Sequence, residues 1–145
     1  MTLRLLMPQD IPAAAKLERL CFSVPWSEET LAAEAAHPFA LCVAAREDGG
    51  ALVGYGGIRV FFDTAELTTI ATAPDYRRLG AGEAMLRELM LQAARRGAAR
   101  MVLEVREGNE AARGLYAKLG FSAIGRRKGY YRKPTEDALV MEATL

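Results

Sequence analysis

Apolar positions along this chain recur at two alternating periods. Leu3 to Met7 is a short apolar run stopped by Pro8, which predicts an edge strand. Ala13, Leu17, Leu20 and Cys21 then fall at helical spacing, with Asp10 reading as the N-cap and Pro12 in the first turn. Val24-Pro25-Trp26 breaks that helix. Ser27 begins a second, which His37-Pro38 should end. Phe39 to Ala45 and Ala51 to Phe61 read as strands joined by Asp48-Gly49-Gly50, a hairpin signal, and Ala65 to Thr72 is a further strand. Beyond Gly82, the residues Met85, Leu86, Leu89, Met90 and Ala93 return to helical spacing, closed by Gly97. Met101 to Val105 is strand-like, Asn109 caps a short helix ending at Lys118-Leu119-Gly120, and two more strands lie near Phe121 to Gly125 and Ala138 to Ala143. The order β-α-α-β-β-β-α-β-α-β-β predicts an α/β fold, a mixed sheet of about seven strands with about four helices on its faces.

Composition narrows the function classes. A chain of 145 residues, 51% hydrophobic and 26% charged, has the balance of a soluble globular protein with a real core. No repeat, low-complexity tract or linker divides residues 1–145, so one domain is expected. A net charge of +1 sets up no global basic field, which argues against nucleic-acid binding. No run approaches the roughly 20 apolar residues needed to span a bilayer. The N-terminus lacks the features of a signal peptide, and a cytoplasmic location with no membrane association is the expectation. Cys21 and Cys42 have no CxxC spacing and His37 stands alone, so neither a metal site nor a disulfide is expected. A monomer or weak dimer completes this picture.

The richest chemistry lies in Arg77-Arg78-Leu79-Gly80-Ala81-Gly82, between a strand and a helix. Two glycines allow a tight turn with no Cβ to block a ligand. The following helix begins with free N–H groups and a partial positive charge, a ready anion site, and Arg77 and Arg78 add permanent cations. A pyrophosphate-bearing ligand fits this turn; the plainer reading is that the glycines only shape a βα connection. Glu104 is the second focus, the one carboxylate within Met101-Val102-Leu103-Glu104-Val105. Partial burial would raise its pKa and improve it as a base, whereas an edge-strand Glu would simply pair with Arg100 or Arg106.

Arg77 to Gly82 meets the Q/R-x-x-G-x-G/A turn of the GNAT family of acetyl-CoA-dependent N-acetyltransferases. Ile70-Ala71-Thr72 with Pro74-Asp75-Tyr76 resembles the family's approach to that turn. Asn109, Ala112, Leu115, Tyr116, Gly120 and Phe121 resemble its N-x-x-A-x-x-L-Y-x-x-x-G-F segment. Three more elements resemble one branch of the family, the bacterial enzymes that acetylate the N-terminal alanine of a ribosomal protein: Phe22, Pro25, Trp26 and Ser27; Leu103 to Glu107 with Asn109; and Arg126, Arg127, Tyr130 and Tyr131 followed by Glu136, Asp137, Ala138 and Met141.

The resemblance implies a GNAT fold, mostly antiparallel and splayed where acetyl-CoA, the cosubstrate, binds. It puts the pantetheine arm between the strands of Ile70 to Thr72 and Met101 to Val105, where free backbone groups bond it as another strand. Ile70 and Ala71 would also stabilise the developing oxyanion. The pyrophosphate falls to Arg77, Arg78, Leu79, Gly80, Ala81, Gly82 and Glu83, although Glu83 stands where relatives often carry a cation and so opposes phosphate binding. Asn109 caps its helix or contacts the arm. Glu104 becomes the general base and Tyr116 the general acid for direct transfer in a ternary complex, with no metal. The acceptor would be a protein N-terminus, and Trp26, Tyr130 and Tyr131 would wall its slot. Trp26 could equally anchor the core beneath the first two helices, and strand alternation would let only one of Tyr130 and Tyr131 face the slot. Glu28, Glu29, Glu34 and Asp63 could attract a basic substrate tail. Two other functions stay open: acetylation of a lysine or small amine, and a CoA-binding regulatory module without catalysis.

Overall fold

The computed structural model describes residues 1–145. Along the chain lie β1 (Thr2–Leu5), α1 (Ile11–Cys21), α2 (Glu28–Ala35), β2 (Ala40–Arg46), β3 (Leu52–Phe61), β4 (Thr64–Thr72), α3 (Ala81–Arg95), β5 (Arg100–Arg106), α4 (Glu110–Lys118), β6 (Ser122–Tyr131) and β7 (Glu136–Thr144). The seven strands form one sheet in the order β1-β2-β3-β4-β5-β7-β6. Every neighbouring pair is antiparallel except β4 and β5, which run parallel. This is the mixed α/β sheet that the element order predicts, with the mostly antiparallel pairing that the family resemblance implies.

Each face of the sheet carries its own core. The apolar stripe of α3, Met85, Leu86, Leu89 and Ala93, packs with Val53, Ile58, Met101 and Leu103 on one face. Complete burial of such a side chain stabilises by roughly 1.5–3 kcal/mol. On the other face α1 and α2 bury Ile11, Ala14, Leu17 and Leu31 together with Tyr55 of β3 and Ala71 of β4. The helix starts follow side-chain chemistry. Ser27 Oγ accepts the Thr30 N–H at 3.2 Å, and Asn109 Oδ1 accepts the Ala112 N–H at 3.1 Å. Asp10 does not cap α1 as its position suggested. It is buried, accepts the Met7 N–H at 2.8 Å, and is held by Arg4 and Arg46 from β1 and β2.

Two irregularities prepare the site. The parallel ladder between β4 and β5 spans only Thr64↔Arg100, Ala65↔Met101 and Glu66↔Val102, after which the strands part. On the far side, β6 runs to Tyr131, well beyond the Gly125 expected from its apolar pattern. It is the exposed edge of the sheet, carries Arg126, Arg127 and Lys128, and loses register with β7 between Arg127 and Tyr131.

Candidate active site

The turn before α3 keeps its donors free. Arg78 (φ 66°) and Gly80 (φ 88°) both adopt left-handed backbone, and space is open where a Gly80 Cβ would sit. No side chain caps α3, and the N–H groups from Arg78 to Glu83 have no backbone acceptor. Six free donors at the positive end of a 15-residue helix suit a pyrophosphate. Gly82 lies between Leu115 of α4 and Thr72 of β4; a Cβ there would stand 3.6 and 3.7 Å from their side chains. Arg78 is exposed and unpaired, whereas Arg77 turns back to donate to the Thr72 carbonyl at 3.2 Å and to Cys21 Sγ at 3.5 Å. Arg77 thus fastens the turn to β4. Glu83, which charge alone set against phosphate, is neutralised by Lys118 at 2.6 Å and Arg87 at 3.1 Å, and these two bonds hold its carboxyl below the usual range.

Past Glu66 and Val102, the facing backbone edges of β4 and β5 have no strand between them. Ile70, Ala71 and Thr72 lie along one edge, and Leu103, Glu104 and Val105 along the other. An amide-rich arm ending in a pyrophosphate fits both this opening and the free end of α3. Asn109 is spent on its cap.

On the α1–α2 face the opening leads into a cavity of about 380 Å³, lined by Trp26, Glu34, Arg59, Glu66, Leu67, Thr68, Glu104, Tyr130 and Tyr131. Glu104 enters because alternation along β5 turns Val102, Glu104 and Arg106 away from the α3 core. It is half-buried, and its ion partner is Arg127 of β6 at 3.3 Å; Arg100 and Arg106, the neighbours first considered, bind Glu142 and Glu136. Both tyrosines line the cavity, which corrects the expectation that alternation would admit one. Gly129 in left-handed backbone (φ 62°) and the lost register allow Tyr130 and Tyr131 to stack edge-to-face at 5.1 Å. Arg106 lies 4.6 Å over the Tyr131 ring, and burial with the nearby Glu104 carboxylate pushes that phenol up to about 12.

Trp26 meets both of its readings. Its ring lines the cavity and also packs on the α1–α2 core. The Trp26 backbone N–H donates at 2.8 Å to Glu18, a buried carboxylate that also accepts from the Tyr55 hydroxyl and, at 3.3 Å, from the Thr69 hydroxyl. Burial and the bond to Glu18 raise the Tyr55 phenol far above its ordinary range. Tyr116 of α4 is buried, in edge contact with Phe121 at 5.8 Å, and burial followed by the neighbouring Tyr131 raises its phenol as well. Of the acidic positions considered for a basic tail, only Glu34 lines the slot, and it binds Arg59 through two bonds of 2.8 and 2.6 Å. Sequence reasoning missed Glu18, Arg59, Glu66 and Thr68. Alternation along β4 was the one available pointer to Glu66; the Glu34–Arg59 pair spans 25 residues and leaves no local trace.

Residues 11–121 match the acetyltransferase (GNAT) family, and the chain belongs to that family. It is therefore built as an acetyl-CoA-dependent N-acetyltransferase. Among its relatives, the [ribosomal protein bS18]-alanine N-acetyltransferase of Escherichia coli K12 is 37% identical over 144 residues, covering 97% of this chain and 95% of the relative. The N-alpha-acetyltransferase RimI of Mycobacterium tuberculosis H37Rv is 40% identical over 146 residues, 97% of this chain and 90% of that one. The crystal structure of the ribosomal-protein-S18-alanine N-acetyltransferase from Escherichia coli superposes with a TM-score of 0.91 at 36% identity, covering 99% of this chain and 92% of the other.

Proposed function

We propose that this chain transfers the acetyl group of acetyl-CoA to the free α-amine of a protein N-terminus, one that begins with alanine on a ribosomal protein, in the cytoplasm and by direct attack in a ternary complex. The observation that carries the reading is Glu104: a half-buried carboxylate on the floor of an aromatic-walled slot, beside the point where β4 and β5 part. The names of the relatives described above support the ribosomal acceptor.

Acetyl-CoA supplies an activated acyl group and a thiolate leaving group. Ile70, Ala71 and Thr72 hold its arm from one side and Leu103 to Val105 from the other, while Arg78 and the N–H groups of Leu79 to Glu83 bind its pyrophosphate. Arg77 acts on the same contact by fastening the turn. The peptide terminus lies between Trp26 and the Tyr130–Tyr131 pair. A Glu104 carboxylate oxygen takes a proton from the terminal ammonium, directly or through one water. An α-amine, with an ordinary pKa of about 7.7–8.0, is readily deprotonated near neutral pH, whereas a lysine at about 10.4 demands a stronger base. The Tyr116 hydroxyl gives its proton to the sulfur. Burial raises a phenol and a thiol in the same sense, since each becomes an anion when it loses its proton, so the donor stays protonated and the thiolate it meets is a hungry acceptor.

Thiol release from acetyl-CoA tests the reading, with Ala-started peptides, peptides with other first residues, an N-blocked lysine peptide and a polyamine as acceptors. Turnover confined to the free Ala terminus is expected. Turnover confined to lysine or polyamine overturns the acceptor, and acetyl-CoA binding with no turnover of any acceptor overturns the enzymatic reading. Glu104→Gln and Tyr116→Phe should each lower kcat by roughly 10²–10⁴-fold with the acetyl-CoA affinity retained.

A further inference from the structure

The slot holds an uneven set of charges. Three carboxylates, Glu34, Glu66 and Glu104, and two guanidiniums, Arg59 and the Arg127 bound to Glu104, meet around it. Arg59 stands directly across the ladder from Glu66 and is the cation that cross-strand pairing would give it. Yet both arms of the Arg59 guanidinium go to Glu34. Arg127 goes to Glu104. Glu66 therefore faces the slot with neither an ion pair nor a hydrogen bond, and its carboxyl is raised above the usual range by partial burial and then by Glu104. Beside it, the hydroxyl of Thr68, the residue bulged out of the β3–β4 register, is buried with no partner.

Register fixes how close Glu66 and Glu104 lie. Glu66 pairs with Val102, and Glu104 is two residues further along β5 on the same face. Strand spacing then sets their Cα atoms at least about 8 Å apart, more as the strands part, within reach of one small cation held between two carboxylates. A carboxylate with no ion pair, exposed on the wall of a peptide slot and only distantly offset by Arg59 and Arg127, is complementary to one monovalent cation. A terminal ammonium is such a cation.

Building on the α-amine reading above, we propose that Glu66 receives the charge of the incoming terminal ammonium beside Glu104, before the proton is removed, and so selects the charged terminus over blocked or uncharged ones. Glu104 then takes the proton, and Glu66 holds the amine while its positive charge is lost. Glu66 is a binding residue in this scheme, and its removal acts on substrate capture more than on the chemical step.

The test compares two peptides on the CoA-bound enzyme by calorimetry: a hexapeptide beginning with alanine, and the same peptide with a propionyl group in place of the alanyl residue, which keeps the shape and removes the amine. Glu66→Gln is expected to weaken the free-amine peptide about tenfold, the effect of losing one charge-assisted contact, and to leave the propionyl peptide unchanged. In the steady state KM for the peptide should rise by the same factor with kcat within about twofold, and Glu66→Asp should recover part of the loss. Equal weakening of both peptides, or no change in either, overturns the assignment. Turnover of the Ala peptide by the unmodified enzyme is read in the same assay. Its absence overturns the α-amine reading together with this one. Normal turnover with an indifferent Glu66→Gln variant overturns the charge assignment alone.

Discussion

Replacing Glu18 by alanine should unfold this protein far more easily than its position on a helix suggests. Glu18 is 2% exposed and accepts from the Trp26 N–H, the Tyr55 hydroxyl and the Thr69 hydroxyl. Truncation orphans the first two donors beneath α1 and α2, at roughly 1–3 kcal/mol each, while Thr69 is half-exposed and can turn away. The one lost methylene adds roughly 0.8 kcal/mol, and release from burying a charge offsets part of the total. A net loss of about 4 kcal/mol follows, a fall in Tm of about 12–16 °C for a chain of this size. Urea unfolding followed by the fluorescence of Trp26, the single tryptophan, measures it at the affected loop. Tyr55→Phe removes the donor along with its need, so the Glu18→Ala/Tyr55→Phe cycle should show a coupling of about 2 kcal/mol. Coupling below about 0.5 kcal/mol refutes the network. Because the same carboxylate anchors Trp26, the folded variant should also bind peptide more weakly while its KM for acetyl-CoA stays within about twofold.

Acid stability should turn on Asp10. Burial pushes its carboxyl up, but the Met7 N–H, Arg46 and Arg4 outweigh that and hold it below the ordinary range. Its contribution is therefore present above the unfolded value of about 3.9 and fades as pH falls through the lower folded value. Asp10→Asn should cost about 2–3 kcal/mol at pH 7 and progressively less below pH 4, read from urea midpoints across that range. Gly80→Ala forces an L side chain into left-handed backbone at a site with open space around it; about 1–2 kcal/mol of strain and a raised KM for acetyl-CoA are expected, by thermal melts and steady-state kinetics. Lys118→Ala unmasks Glu83 at the free end of α3, and isothermal titration should show acetyl-CoA binding weakened roughly two- to fivefold, with Glu83→Gln restoring it.

Much of the architecture was legible because the apolar periods are clean and their punctuation is chemical. Ser27, Asn109 and the glycines at 80 and 97 stand where caps and turns are needed, and the structure uses each of them there. The family match follows from the same turn. β6 was read too short because Arg126 to Gly129 are basic or glycine and show no apolar alternation; pairing with β7 holds Arg126 and Arg127, and the Gly129 N–H donates to Asp137 at 2.9 Å. The joint entry of Tyr130 and Tyr131 depends on a single left-handed glycine whose effect on side-chain direction no local pattern reveals. Asp10 carried the right residue type for a cap, but two arginines brought in by the β1–β2 ladder claim it. In the slot, Glu104 stood out as a carboxylate in an apolar strand. Glu66, an exposed acid between the buried Ala65 and Leu67, carries no local sign of its role; only the strand pairing shows that its natural cation is engaged elsewhere.

The three-rung seam between β4 and β5 has a consequence for the life of the protein. The sheet is two half-sheets, β1 to β4 and β5 to β7, riveted by those rungs and by what α3 spans above them. A ligand that lies in the gap supplies the missing rungs, so occupancy is also reinforcement: at a hundredfold excess over Kd it adds about 2.7 kcal/mol to the folded state. With acetyl-CoA seated there as proposed above, resistance to proteolysis should rise with its concentration, and the ligand-free protein should be the most readily cleaved form.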